Sequence, residues 1–309
     1  MNQKMLYPLF FEPVYKFTLW GGSMLVPLFG RTPQQNENPV GEAWEIVDRQ
    51  NDQSVVKNGP LAGKTLRELM TERGADIVGS AYREGMAFPL LIKLLDTHTH
   101  LSIQVHPSKT EMWIVLDCEE GASLIYGLKE PYDRNRFAAS LADGSVESLL
   151  RRVPVHRGDV FFLPSGMVHA IGGGIVLYEI QQSSDVTYRL WDFNRVNDKG
   201  EKRPLHIRQS LDVIDPALKG LHTRMPEGGH GVTRLLDVPN FKLDCACVDG
   251  QLPLEKRNGF VMLTPINDLL LCWQGGELAV KSGQSVLLPA SCPAVALKGT
   301  GRALMSAVC

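Results

Sequence analysis

Two short stretches hold residue types able to bind a metal ion. Gln104, His106 and Glu111 read Q-x-H-x4-E, and Gly158 to His169 read G-x5-P-x-G-x2-H. Gln104 and His106 are two apart, so on a strand both side chains leave the same face, and Glu111 returns on the next strand. In the second stretch the glycines and Pro164 bend a hairpin and deliver His169 from another strand. Two imidazoles, one carboxylate and one amide oxygen then converge inside one barrel. A mixed nitrogen and oxygen set without thiolate suits Zn²⁺ with an open position for water or substrate. Iron, manganese or cobalt also fit, so ligand type alone does not choose the metal.

Strands must carry these residues, and the chain supplies them. Short runs rich in Val, Ile, Leu and Phe recur between turn residues, as in LSIQVHP, EMWIVLD, DVFFLPSG, GIVLYEIQQ, FKLDCACVDG and SVLLPAS. Many short strands with turn signals between them indicate a β-sandwich or barrel. Helical patterns are fewer: TLRELMTERGADIVG after Lys64, FAASLADGSVESLLRRV, and the segment around LHIRQSLDVI. The expected class is mainly β with a minority of helices. GDVFFLPSGMVHAI from Gly158 can be laid on GQSVLLPASCPAVAL from Gly283, with Pro164 on Pro289 and His169 on Ala294. Two barrels follow, of which only the first keeps metal-binding residues. The Gly-rich MPEGGHG stretch separates them, giving a metal-binding unit over 1–227 and a β unit without a metal site over 228–309.

Composition narrows the partners. With 309 residues the chain is long enough for two domains, and its net charge of -2 argues against nucleic acid as a partner. The first residues show no signal-peptide pattern, and no apolar run of about 18 residues is present to span a membrane. Cys118, Cys245, Cys247, Cys272, Cys292 and Cys309 lack paired CxxC spacing and lie mostly in apolar segments. They are expected as reduced thiols in a cytoplasmic protein. Nothing in the sequence fixes the oligomeric state.

The two motifs resemble the paired metal motifs of the cupin superfamily, with Gln104 where many cupins have a first histidine. The segments YKFTLWGG, GEAWEIVD, GPLAGKTLREL, PLLIKLLD, KTEMW, FLPSGMVHAIGGG, EIQQSSDVTYRLWDF and PLHIRQSLDVI resemble the short bacterial form of type I phosphomannose isomerase. This resemblance is dense from about Leu6 to Ile214 and thinner beyond. It implies two cupin barrels, one Zn²⁺ per chain, and interconversion of mannose 6-phosphate and fructose 6-phosphate through an enediol. It further implies Gln104, His106, Glu111 and His169 as metal ligands and Arg189 in the active site. Lys93, Ser102 and Lys109 would line the substrate pocket, with Lys93 and Ser102 meeting the phosphate.

A general base must move a proton between C1 and C2. Lys109 lies two residues before Glu111 and is the expected base, with Glu42, Glu45 and a zinc-bound water as rivals. Arg189 stays protonated, so it is expected to supply charge and orientation. One departure stands out: family members carry a longer loop between the QVHP and KTEMW segments, whereas only Pro107 and Ser108 join them here. The shortening leaves a second expectation open, a metal-cupin that binds a sugar or sugar phosphate without turning it over.

Overall fold

The computed structural model describes residues 5–31, 39–196 and 199–308. The chain is mainly β, in antiparallel sheets with a helical minority. A seven-stranded sheet runs in the order Leu221–Arg224, Asp159–Leu163, Glu111–Cys118, Ile175–Gln182, Leu90–Thr97, Val14–Gly22 and Val40–Ile46. A five-stranded sheet holds Tyr188–Trp191, Ile103–Val105, His169–Ile171, Ser123–Leu128 and Leu150–Pro154. The nine-stranded third sheet is built mostly from Gly231–Val238 onward. Leu9–Glu12 joins it from the other end of the chain by pairing with Val286–Leu288. No hydrogen-bonded closure joins the first two sheets among the described residues, so the first unit is a sandwich of facing sheets.

Alternation along the seven-stranded sheet explains why its strands read as continuous apolar runs. Met112, Ile114, Tyr178 and Ile180 point to one side, where they pack with Leu243, Met262, Leu287 and Leu304 of the nine-stranded sheet. Trp113, Val115 and Leu177 point to the other, into a core shared with Leu124, Tyr126 and Ile171 of the five-stranded sheet. Both faces are covered, so period-two polarity is lost except where side chains carry chemistry. The far side of the five-stranded sheet packs Ile103, Val105 and Leu190 against Phe137 and Leu141.

Helices form where the caps direct them. Leu66–Val78 starts at Thr65, whose hydroxyl accepts from Glu68 N while Glu68 accepts from Thr65 N. Arg134–Asp143 starts at Asp133 and stops at Gly144, whose φ of 81° ends the helix. The expected longer helix therefore breaks there: Val146–Leu149 is a 3₁₀ turn, and Leu150–Pro154 leaves as a strand. Ile207–Val213 is helical as its pattern indicates. Among the described residues no helix is long and apolar enough to cross a membrane.

A buried ion pair ties the segment holding Arg31 and Glu45 to the turn at Gly283 and Ser285. Arg31 Nη2 lies 2.8 Å from Glu45 Oε2 and 2.8 Å from Gly283 O, and Ser285 N donates to the same carboxylate at 3.1 Å. Burial raises the Glu45 carboxyl to about 6, outweighing the pull of Arg31 in the other direction. A carboxyl whose folded pKa is raised stabilises the fold below its ordinary value and loses that contribution as pH rises through the folded one. Wild-type protein should therefore lose about 1.5 kcal/mol more than Glu45→Gln between pH 4.5 and 6.5. Urea unfolding at both pH values checks this, and equal losses in the two proteins would refute it.

Candidate active site

The inner face of the seven-stranded sheet carries polar groups in register. Trp44 pairs with Lys93, Lys93 with Glu179, and Glu179 with Trp113, so these four side chains form one rung. Glu111 and Gln181 form the next. Lys93 Nζ sits 3.2 Å from Glu42 Oε2 and 3.1 Å from Glu179 Oε1. The indoles complete the pairing: Trp44 Nε1 donates to Glu42 at 2.6 Å and Trp113 Nε1 to Glu179 at 3.0 Å. Burial opposes the charge on Lys93, yet Glu179 and Glu42 raise its pKa above the ordinary lysine value. Burial also works to raise Glu42, but Lys93 holds it below the usual carboxylate range. Glu179, beside Glu111, stays raised by its burial.

The five-stranded sheet supplies the opposing row. Arg189 and His169 both pair with Gln104, one on each side. His106 follows one residue beyond that strand and is held by the hairpin, because Gly166 N and Ser165 Oγ both donate to His106 O. Gly166 has a φ of 88°, which a side chain would strain. Glu111 comes from the facing sheet, not from a neighbouring strand of the same one. The four residues between His106 and Glu111 thus cross from sheet to sheet, and the short loop suffices to bring the carboxylate to both imidazoles.

The donor atoms converge with no proton to share. His106 Nε2 is 3.2 Å from Glu111 Oε1 and 3.2 Å from His169 Nε2, which lies 3.6 Å from Glu111 Oε2. The other ring nitrogens face carbonyls, His106 Nδ1 to Val186 at 3.1 Å and His169 Nδ1 to Met167 at 2.8 Å. Protons on Nδ1 satisfy those carbonyls and leave two bare Nε2 lone pairs directed at each other and at a carboxylate. Burial pushes His169 down to about 3, so that ring is neutral. Burial works against the Glu111 charge, but the Lys109 ammonium beside it holds the carboxyl well below its usual range. Glu111 Oε2 is buried without a hydrogen-bond partner. Three acceptors around a common point, one of them orphaned, fit a cation. Gln104 Nε2 lies 3.3 Å from His169 Nε2, and turning the amide over presents its oxygen instead.

The remaining residues divide clearly. Lys109 Nζ sits 2.6 Å from Glu111 Oε1 and 3.3 Å from Gln181 Oε1. Ser102 Oγ accepts from Arg189 Nε at 3.3 Å. Glu45 turns to the opposite face of its strand from Glu42, toward Arg31, and is removed as a base. Glu179, Gln181 and Trp113 belong to the site although no motif named them. Their signal was present in GIVLYEIQQ, where Glu179 and Gln181 alternate with buried Tyr178 and Ile180. Asp192 pairs with both Arg195 and Arg203, and these two arginines add to burial in lowering the pKa of half-buried Arg189.

A sheet sandwich with a histidine and carboxylate cluster able to hold a metal ion between its layers has the features of a cupin. The family model described as "Phosphomannose isomerase type I, catalytic domain" matches residues 9–122. The mannose-6-phosphate isomerase ManA of Bacillus subtilis is 36% identical over 97% of this chain and 98% of its own length. A probable mannose-6-phosphate isomerase of the same organism, GmuF, is 42% identical over 71% of this chain and 72% of its own. A crystal structure of the mannose 6-phosphate isomerase from Bacillus subtilis superposes with a TM-score of 0.84 at 31% identity, covering 97% of this chain and 99% of that one. The chain belongs to the type I phosphomannose isomerase family.

Lys93 offsets two buried carboxylates, so removing it leaves both uncompensated. Lys93→Met should destabilise the protein by about 3–5 kcal/mol, and adding Glu179→Gln should restore part of the loss. Urea denaturation of the three proteins checks this, and a single-variant cost below about 1 kcal/mol would show that Lys93 does not carry the cluster.

Proposed function

We propose that the chain interconverts mannose 6-phosphate and fructose 6-phosphate, working in the cytoplasm on the free sugar phosphate. The observation that carries this reading is the buried meeting of His106, Glu111 and His169, with Lys109 held beside them. Gln104, His106, Glu111 and His169 would hold one Zn²⁺ per chain, which when bound supplies Lewis acidity toward the C1 and C2 oxygens of the open-chain sugar. Residues 1–227 form the catalytic unit and 228–309 the accompanying β unit, with Leu9–Glu12 lent to its sheet.

The protein groups perform the rest. Lys109, held beside Glu111 and Gln181, can act as the base only as the neutral amine, so it would first give up the proton of its ion pair with Glu111 once a cation takes over that carboxylate. It would then take the C2 proton of mannose 6-phosphate and return it to C1, giving the ketose without net redox change. Glu42 is a poorer base because Lys93 holds it in its charged, low-pKa form and, with Trp44, already occupies its Oε2. Arg189 supplies a fixed positive charge next to Gln104 and, with Ser102, meets the phosphate at a site made more positive by Arg195 and Arg203. Lys93 lines the pocket as a donor to sugar hydroxyls, since its charge is offset by two carboxylates. Binding energy at the phosphate then holds C1 and C2 in place, so losing that handle lowers turnover as well as affinity.

Formation of fructose 6-phosphate should vanish on chelation, return with added Zn²⁺, and be absent from His169→Ala. Lys109→Met should keep substrate affinity while lowering kcat by about 10²–10⁴. A zinc-loaded, folded protein without turnover would overturn the isomerase reading, and an unchanged kcat in Lys109→Met would remove Lys109 as the base.

A further inference from the structure

The nine-stranded sheet repeats the catalytic unit's pairing pattern strand for strand. Leu163 pairs with Glu111, and Leu288, its match in the internal repeat, pairs with Val261. Lys93 pairs with Glu179, which pairs with Trp113; Asp244 pairs with Met305, which pairs with Leu263. Trp44 opposes Lys93 as Arg234 opposes Asp244. Counting back from Val261 as from Glu111 places Lys256 at the position of His106 and Leu254 at that of Gln104. Leu254 N bonds Val295 O, echoing the pairing of Gln104 with His169.

A cavity of about 450 Å³ lies at this second position, lined by Leu254, Lys256, Val261, Ala294 and Met305. Its volume falls within the range of small-molecule sites. Every metal-ligand position has lost its donor, so this pocket has no cation cage. Positive charge comes from side chains instead. Arg234 Nε and Arg257 Nη2 each donate to a different oxygen of Asp244, which is 2% exposed. Both guanidinium groups are thereby fixed at the cavity wall. Lys256 makes no ion pair among the described residues, although the Glu255 carboxylate next to it also lines the cavity, and it stands where the first copy has His106. The opposite wall is apolar, formed by Val261, Leu288, Val295 and Met305.

We infer that this cavity is a second, metal-independent binding site for a small phosphate-bearing molecule, its phosphate held by Lys256 and Arg257 and its body laid against the apolar wall. An unpaired ammonium beside an anchored guanidinium suits a multiply charged oxyanion, and burial of the body adds affinity that a simple ion lacks.

The test is a calorimetric titration of the full chain carrying His169→Ala, with and without chelator, using glucose 6-phosphate and inorganic phosphate as separate probes. Saturable binding that survives the chelator is expected, weakened at least about tenfold by Lys256→Ala or by Ala294→Trp, which obstructs the cavity. Both positions are exposed, so the variants should keep the wild-type melting temperature. Binding of glucose 6-phosphate alone shows that the body is read; binding of both probes shows that phosphate suffices. Failure of both probes to bind saturably, or binding unchanged by Lys256→Ala, overturns the proposal. The titration reads no turnover, so its outcome is separate from that of the isomerase assay.

Discussion

Three carboxylates lie buried between two sheets, and the structure is arranged around their charge. Glu42, Glu111 and Glu179 face only two ammonium groups, Lys93 and Lys109, while His169 is neutral. An uncompensated charge away from water costs several kcal/mol, so the inner face needs one more cation. The place for it is set by the two bare imidazole nitrogens and the orphaned Glu111 oxygen. Strand register delivers these groups together: a one-residue slip would turn Glu111, Glu179 and Lys93 outward into the apolar core shared with the third sheet.

That sharing explains why the second unit matters to the first. Met112, Ile114, Tyr178 and Ile180 need an apolar surface behind the catalytic face, and Leu243, Met262, Leu287 and Leu304 provide it. Tyr178 Oη and Ser306 Oγ, 3.0 Å apart, satisfy each other within this layer. With its back so fixed, the sheet holds its polar face in one register. The same strand frame occurs twice in the chain, with imidazole, carboxylate and ammonium groups gathered in one copy and apolar and cationic groups in the other. Fold and chemistry are separable here, as the replacement of Glu111 by Val261 at one ladder position shows.

Much of this was legible in the sequence because short-range rules govern it. Two-residue spacing put Gln104 and His106 on one face, and the Gly and Pro turn before His169 returned the chain to them. The helical pattern after Lys64 placed a helix start where Thr65 caps it. What sequence could not show was which sheet each strand joins. Glu111 opens the next strand of the chain as expected, but that strand lies across the sandwich in the other sheet, and Leu9–Glu12 joins a sheet built mostly from the far end of the chain. Those pairings are long-range, and local periodicity carries no information about them. Glu45 illustrates the same limit: three residues from Glu42 and equally acidic, it faces the other way and closes an ion pair with Arg31.

The most direct measurement of the central claim is a zinc K-edge X-ray absorption spectrum of the metal-loaded protein. The account predicts a shell of nitrogen and oxygen at about 2.0–2.1 Å, with outer-shell scattering from two imidazoles and no sulfur. A shell at about 2.3 Å would place the metal on cysteine thiolates and contradict a centre formed by His106, Glu111 and His169.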